Sequence, residues 1–187
     1  MLIRRERAGE QTAIHRIHDL AFRAGAPGGT AGTGGTGGTG ATVEAALVDD
    51  LRQDPRSWLP RLSLVAEEDE LPIAHVVCTR AWLRGEVPVL GLGPLGVLPH
   101  HQGMGVGTAL VLAVCAVAEA LDEPLVVLLG DPAFYRRTGF VLAERLRITP
   151  PVPAWAPHFQ ARPLAGFDPQ RHHGEFRYAP AFDRVPS

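Results

Sequence analysis

The sequence predicts an α/β (α+β) fold in which a mostly antiparallel sheet is flanked by helices and contains one parallel crossover. Three apolar segments within residues 62–97 are joined by short polar turns, which is typical of an antiparallel meander. A long apolar helical segment then separates two apolar strands, and this spacing is that of a βαβ unit. Two helical segments precede the meander, so helices are available to cover the sheet.

Length and composition restrict the function classes. The 187 residues are expected to form a single domain, residues 1–187, and the net charge of −2 predicts neither a nucleic-acid partner nor a membrane-surface partner. Cys78 and Cys115 lie in apolar runs, so we expect buried thiols in a reducing compartment. No segment has the length of a membrane span or the apolar core of a signal peptide, and the predicted location is cytoplasmic.

The N-terminal region predicts a strand followed by a helix. Residues 2–7 alternate weakly and suggest an edge strand, and residues 10–24 carry apolar side chains at helical spacing. His15 and His18 lie three residues apart on this helix, which suits a metal site. No cysteine or carboxylate partner completes one, so we predict two solvated histidines and no metal.

Residues 25–40 form a Gly/Thr-rich tract with nothing to bury, and they predict a flexible surface loop rather than a mobile cover over a site. Thr42 is then placed to cap a helix that ends at the Asp54-Pro55 pair. Its predicted apolar face consists of Val43, Ala46, Leu47 and Leu51.

The rest of the chain alternates strands and short connections. Strands are predicted at residues 62–66, 72–83, 87–97 and 125–129, with the apolar helix between the last two. Further on we predict a short helix at 131–138, a strand at 139–144, an extended connection at 148–157, and strands at 158–163 and 174–178. His172 and His173 are predicted to be exposed.

The glycines between the third and fourth strands fall into two groups. Gly91, Gly93 and Gly96 match the dinucleotide fingerprint in letters, but they lie within a strand and Pro94 interrupts them. The P-loop motif fails because no lysine follows the glycines. A second set, Gln102-x-x-Gly105-x-Gly107, opens directly into the apolar helix, and a helix N-terminus that begins in glycines predicts a pyrophosphate-binding turn.

Two motifs resemble a known family. The segment Val97-x-Pro99-x-x-Gln102-Gly-x-Gly105-x-Gly107, followed by Phe134-Tyr135-x-x-x-Gly139-Phe140, is similar to the GNAT superfamily of acetyl-CoA-dependent N-acetyltransferases. The segments LGPLGVLP, GDPAFYRRTGF and GEFRYAPAF further resemble the YhbS-like branch of this superfamily. The resemblance implies a GNAT-like sheet of about seven strands with flanking helices.

The resemblance also implies a cofactor and site residues. Acetyl-CoA is the expected donor and coenzyme A the product. The strand at Leu95, Gly96 and Val97 would pair with the pantetheine arm, and a backbone N–H near Leu95 or Gly96 would stabilise the oxyanion. Tyr135 would act as the catalytic proton donor to the thiolate. The pyrophosphate would be held by Gln102, Gly103, Met104, Gly105, Val106, Gly107 and Thr108.

Several points stay open from the sequence. The expected acceptor is a small-molecule or peptide amine, and the alternative is a non-catalytic acyl-CoA-binding or sensory domain. A third hypothesis for the function, a nucleotide-binding oxidoreductase, is disfavoured. A homodimer is the common assembly for soluble homo-oligomers. The general base is not assigned among Glu67, Glu68, His75, Glu86, His100 and Asp131.

Overall fold

The computed structural model describes residues 1–23 and 41–184, and the predicted loop at 25–40 lies outside them. The α-helices are α1 (Gln11–Arg23), α2 (Val43–Gln53), α3 (Val106–Ala120) and α4 (Pro132–Tyr135). The strands are β1 (Leu2–Arg5), β2 (Ser63–Glu68), β3 (Leu71–Leu83), β4 (Val87–Val97), β5 (Leu125–Leu129), β6 (Val141–Leu142), β7 (Ile148–Thr149), β8 (Phe159–Pro163) and β9 (Gly174–Arg177).

Within the described ranges the nine strands form one sheet with the order β1-β2-β3-β4-β5-β8-β6, and β9 pairs with β3 and β7. The predicted meander is confirmed, because β2, β3 and β4 pair antiparallel in sequence order. The predicted crossover is also confirmed: β4 and β5 are parallel and α3 connects them. A short parallel pair between β7 and β9 was not predicted.

The sheet is covered on both faces. Successive residues of a strand point to opposite sides, and on β2 Leu64 packs in the core under α3 whereas Val65 packs against α1 and α2. On β3, Val76 and Val77 divide in the same way. Helices α1 and α2 therefore lie on one face and α3 lies on the other.

Helix α2 begins and ends as predicted, and its buried face agrees with the prediction in part. The Thr42 hydroxyl accepts a hydrogen bond from the Ala45 N–H at 3.4 Å, and Asp54 is the C-cap. Leu47 and Leu51 are buried as predicted, whereas Val43 and Ala46 are exposed and Ala45 and Val48 are buried in their place. Contact of the helix with α1 and β2 fixes its rotation, which the sequence pattern alone left one residue out of phase.

The C-terminal third departs most from prediction. The predicted strand at 139–144 reduces to β6, and the connection at 148–157, predicted as extended, contains a 3-10 helix, Pro153–His158. Proline fixes φ near the helical value, so a Pro-rich segment can form 3-10 turns. The strands predicted at 158–163 and 174–178 are confirmed as β8 and β9.

Among the described residues, no helix is both long and apolar enough to cross a bilayer. Cys78 and Cys115 are free and buried, as predicted. Burial raises the pKa of the Cys78 thiol well above its usual value and that of Cys115 to about 11, so both are neutral thiols within the core.

Candidate functional site

A cavity of about 260 Å³ lies where the end of β4, the glycine turn and the first turn of α3 meet. The last turn of α1 and the ring of Phe134 complete its walls. The lining residues are Ala21, Phe22, Leu95, Val97, His101, Gln102, Gly103, Gly105, Val106, Gly107, Thr108, Phe134 and Arg137.

The glycine turn leaves the start of α3 open. Gly103 and Gly105 have φ values of 74° and 84°, a left-handed conformation that glycine adopts without strain. Gly105 is the N-cap of α3 and makes no side-chain cap, so the amides of the first helical turn have no partner within the helix. The Gln102 side-chain amide donates to the Val97 carbonyl at 2.9 Å and holds the turn against β4. These amides and the helix dipole favour an anion.

Strand β4 presents a free backbone edge beside this turn. Its pairing with β5 includes Leu90 with Val126 and Gly91 with Val127, and no further β5 partner exists in the part of the chain that the structure describes. From there to Val97, β4 remains paired with β3 on its other side. Its unpaired N–H and C=O groups are suited to an extended ligand that adds as a strand.

The predicted coenzyme residues line the cavity except for Gly96 and Met104. Met104 is 72 % exposed on the outside of the turn, and Gly96 is buried against His18. Phe22, Phe134 and Arg137 also line the cavity, although the sequence had not singled them out as binding residues. Arg137 brings a positive charge to a cavity that is otherwise mostly backbone and apolar side chains.

Tyr135 lies beneath the cavity wall and is 2 % exposed. Its ring packs edge-on against Phe134 and Phe140, with ring centroids 4.7 and 5.7 Å apart. The Cβ position of Gly130 falls on the Tyr135 ring, so only glycine fits there. Burial raises the pKa of the Tyr135 phenol, which therefore stays protonated.

Most of the candidate bases have structural partners. Glu67 binds Arg4, with a hydrogen bond of 2.8 Å from the guanidinium Nε. Glu68 lies 3.3 Å from His101 Nε2. Asp131 caps α4 by accepting from the Ala133 N–H at 2.8 Å, as predicted.

The other candidate bases differ in exposure. Glu86 and His100 are exposed, Glu86 in the β3–β4 turn and His100 just before the glycine turn. His75 is fully buried and hydrogen-bonded to His18 Nε2 at 2.8 Å.

Two predictions about histidines were wrong. His18 was expected in solvent, and it is fully buried against β3 and β4. His172 was expected to be exposed, but it is 5 % exposed, and its Nδ1 accepts from the Asp168 N–H at 2.8 Å. His15 is partly exposed as expected and pairs with Asp49 at 2.7 Å. A lone histidine carries no sequence signal for burial, because its partners lie on distant elements.

Comparison with known sequences agrees with this geometry. Residues 40–140, more than half of the chain, match the acetyltransferase (GNAT) family. The chain belongs to the GNAT family. Among its relatives, this GNAT chain is 36 % identical over 124 residues to the N-acetyltransferase YhbS of Escherichia coli, an alignment that covers 65 % of the chain and 72 % of YhbS. It is 38 % identical over 100 residues to E. coli YjhQ, covering 52 % of the chain and 55 % of YjhQ, and so spans about half the length of that relative.

Solved structures resemble the GNAT chain over its whole length. The crystal structure of E. coli YhbS in complex with CoA matches with a TM-score of 0.76 and 28 % identity, covering 98 % of this chain and 92 % of YhbS. A GNAT family acetyltransferase from Brucella melitensis in complex with acetyl-CoA matches with a TM-score of 0.72 and 29 % identity, covering 97 % of each chain. The YhbS-like resemblance is thereby confirmed.

Proposed function

We propose that this protein transfers an acetyl group from acetyl-CoA to a primary amine. The observation that carries the proposal is the cavity at the glycine turn, where an open helix N-terminus adjoins the unpaired edge of β4. The two similar structures solved with CoA and acetyl-CoA support the choice of ligand. The residues present fit this coenzyme: backbone amides for a pyrophosphate, a strand edge for the pantetheine arm, and Arg137 for a phosphate charge.

The chain's own groups would bind the donor as follows. The amides from Gln102 to Thr108 would bind the pyrophosphate, and the backbone at Leu95, Gly96 and Val97 would pair with the pantetheine amides. This arrangement would hold the thioester beside the end of β4. A backbone N–H near Leu95 or Gly96 would then stabilise the oxyanion that forms when the amine attacks the carbonyl.

Tyr135 is proposed to give its phenolic proton to the departing thiolate and to regain one from water afterwards. Its high pKa keeps the proton on the phenol before transfer, as a donor requires. Its ring packs edge-on against Phe134, which lines the cavity, whereas Tyr135 does not line it, so the proposed transfer requires a movement that exposes the phenol.

A second function has one observation in its favour. The burial of Tyr135 below the cavity wall suits a protein that binds the coenzyme without transferring the acetyl group. Such a protein would be an acyl-CoA-binding or sensory domain.

Turnover distinguishes these functions. The full-length protein is mixed with acetyl-CoA and a panel of primary amines that includes polyamines, aminoglycosides, amino acids and short peptides, and free thiol is measured. Tertiary-amine analogues provide the matched control, since a neutral tertiary amine has no N–H bond to break and cannot form an amide. We expect amine-dependent thiol release. Calorimetric binding of acetyl-CoA with background thiol release across the panel would favour the binding domain instead.

A further inference from the structure

A chain of hydrogen bonds runs along the face of the sheet that α1 and α2 cover, from α1 to the segment after β1. His18 Nε2 lies 2.8 Å from His75 Nδ1, His75 Nε2 lies 2.8 Å from Ser63 Oγ, and the Ser63 hydroxyl donates to Glu6 Oε2 at 2.5 Å. His18, His75 and Ser63 are fully buried. Glu6 is the last member of this chain of hydrogen bonds, and it accepts a hydrogen bond from Arg52 Nε at 3.1 Å. A connected polar chain of this kind, with three of its four members fully buried, orders the protons between its members.

The partners fix the position of every hydrogen. The Glu6 carboxylate is paired with Arg52 and accepts, so the Ser63 hydroxyl must donate to it and its oxygen must accept from His75 Nε2–H. Burial lowers the pKa of His75 well below its usual value, so this ring is neutral and its Nδ1 is a lone-pair acceptor. His18 Nε2–H therefore donates to His75 Nδ1. Burial also lowers the pKa of His18 to about 3, which leaves its Nδ1 without a hydrogen.

The unprotonated Nδ1 of His18 faces β4, the strand beside which the thioester is expected. It has no hydrogen-bond partner among the described residues, and it lies 2.8 Å from the position that a Cβ atom on Gly96 would occupy. Gly96 stands between Leu95 and Val97, which both line the cavity. His18 itself is fully buried and does not line the cavity, so an amine meets Nδ1 only when the wall beside Phe22 opens. One turn further along α1, Phe22 lines the same cavity, and its ring stacks on His18 with centroids 6.2 Å apart.

We propose that His18 Nδ1 is the base that takes the proton from the acceptor amine, and that His75, Ser63 and Glu6 relay the charge away from the cavity. The inference rests on the proposed acetyl transfer. The amine N–H bond breaks as an Nδ1–H bond forms. The proton on Nε2 moves to His75 Nδ1, the proton on His75 Nε2 moves to Ser63 Oγ, and the hydroxyl proton of Ser63 moves to the Glu6 carboxylate.

The surroundings explain why a relay is needed. A charged imidazolium at His18 is disfavoured by burial and by the positive charges of Arg52 on α2 and, when it is protonated, of His15 on α1. His75 meets the same burial, the charge of His18 when that ring is protonated, and the same Arg52 charge. The proton therefore passes through both rings and rests on Glu6, which removes one negative charge beside Arg52. After the product leaves, the shifts reverse, and His18 gives the proton to water that enters through the same opening beside Phe22.

The tautomers test this proposal without any turnover. Nitrogen-15 spectra of the histidine rings in the full-length protein should show Nδ1 unprotonated and Nε2 protonated for both His18 and His75 at neutral pH. His18→Gln and His75→Gln assign the signals. A proton on His18 Nδ1 would overturn the proposal, whatever the activity of the protein.

Kinetics test the role of the base. In His18→Gln the side-chain amide still donates to His75 but offers no basic nitrogen, and we expect kcat to fall about 100-fold or more with the acetyl-CoA Kd unchanged. His15→Gln, on the exposed side of the same helix, is the matched control and should keep full activity. A kcat for His18→Gln close to that of the control would overturn the proposal while leaving acetyl transfer intact.

Variants of Ser63 test the proton relay separately from the base. Ser63→Ala breaks the chain without touching His18, and we expect kcat to fall about tenfold or more together with a smaller solvent deuterium isotope effect. Ser63→Thr keeps a hydroxyl and should restore both values. Equal kcat and isotope effect in Ser63→Ala and the wild type would show that no proton moves through this chain. Absence of turnover in the wild type itself would refute acetyl transfer, and the ring spectra would still decide the protonation of His18.

Discussion

The ring of Tyr178 lies against the backbone of Gly91, at the residue pair after which β4 and β5 separate. An ideal Cβ atom on Gly91 would be 3.0 Å from Cδ1 and 3.1 Å from Cε1 of Tyr178. The Tyr178 ring is held from behind by Phe182 and Phe176, with centroids 4.5 and 4.6 Å away. A tyrosine from the end of the chain thus packs where the sheet opens.

This contact predicts a sensitivity to one methyl group. Gly91→Ala should lower the free energy of unfolding by about 1–3 kcal/mol, because the ring cannot retreat from the new Cβ. Urea denaturation measures the change. Gly166→Ala is the control, since its nearest neighbours are at an ordinary 3.7 Å. Equal stability of the two variants would show that Tyr178 can move freely.

The left-handed cap of α3 predicts a specific loss of binding. Gly105→Ala should lose about 1–2 kcal/mol of stability because φ is 84°, and bind acetyl-CoA about tenfold more weakly because the amides shift. Gly9→Ala provides a matched control, since Gly9 has φ 91° and open space around it but lies outside the cavity. Calorimetry should show weakened binding for Gly105→Ala alone.

Arg137 predicts a dependence on salt. Arg137→Gln removes a positive charge from the cavity lining, and we expect acetyl-CoA to bind about five- to tenfold more weakly at low ionic strength. The difference should shrink in high salt because exposed charges are screened. Its neighbour Arg136 is exposed and does not line the cavity, so Arg136→Gln should bind as the wild type does. Equal affinities for the two variants would place the phosphates elsewhere.

Tyr135→Phe tests the proposed proton donor. Phenylalanine keeps the ring packing against Phe134 and Phe140, so the fold and the acetyl-CoA Kd should be preserved. Loss of the phenol should slow acetyl transfer about tenfold or more if Tyr135 protonates the thiolate. Single-turnover thiol release measures this step. Unchanged turnover would assign Tyr135 a packing role only.

The two buried histidines predict a loss of stability in acid. The pKa of His18 falls from 6.5 to about 3 on folding, so below about pH 6.5 the unfolded chain binds a proton that the native state does not. The free energy of unfolding should therefore fall as pH decreases from about 6.5 toward 3, by about 1.4 kcal/mol per pH unit for this one group. His75 acts in the same direction.

A difference between variants isolates this contribution, because carboxylates with lowered pKa values such as Glu10 and Asp19 also weaken the fold in acid. In His18→Gln the free energy of unfolding should fall less steeply in acid than in the wild type. Above about pH 7, where this histidine is neutral in both the native and the unfolded state, the two proteins should show the same dependence on pH. Urea midpoints across this range measure both slopes. Identical slopes would mean that His18 is protonated in the native state.

The predictable parts of the fold are local ones. Strands β2, β3 and β4, the crossover through α3 and the Thr42 cap each follow from a pattern within a few residues of themselves. The glycine turn is local in the same sense, and it contributes five of the thirteen residues that line the cavity. What the sequence could not provide is contact between distant elements.

His18 shows why. Its partner His75 is 57 residues away, and nothing in the neighbourhood of either residue distinguishes a buried histidine from a solvated one. The face of α2 was misjudged for a related reason, since the rotation of a helix depends on what it packs against. Phe134 and Tyr135 are adjacent in sequence, yet the structure places one in the cavity wall and the other in the core.

The side of the cavity proposed to bind the coenzyme is built largely from peptide groups and glycines. A peptide wall recognises charge and shape whatever side chains its residues carry, provided the backbone keeps its path. Val106 and Thr108 can therefore change identity while their amides stay in place. The opposite wall, with Phe22 and the buried His18 behind it, depends on side chains. Under the proposed function, a protein arranged in this way can acquire new amine substrates over evolutionary time without rebuilding the half proposed to hold its acetyl donor.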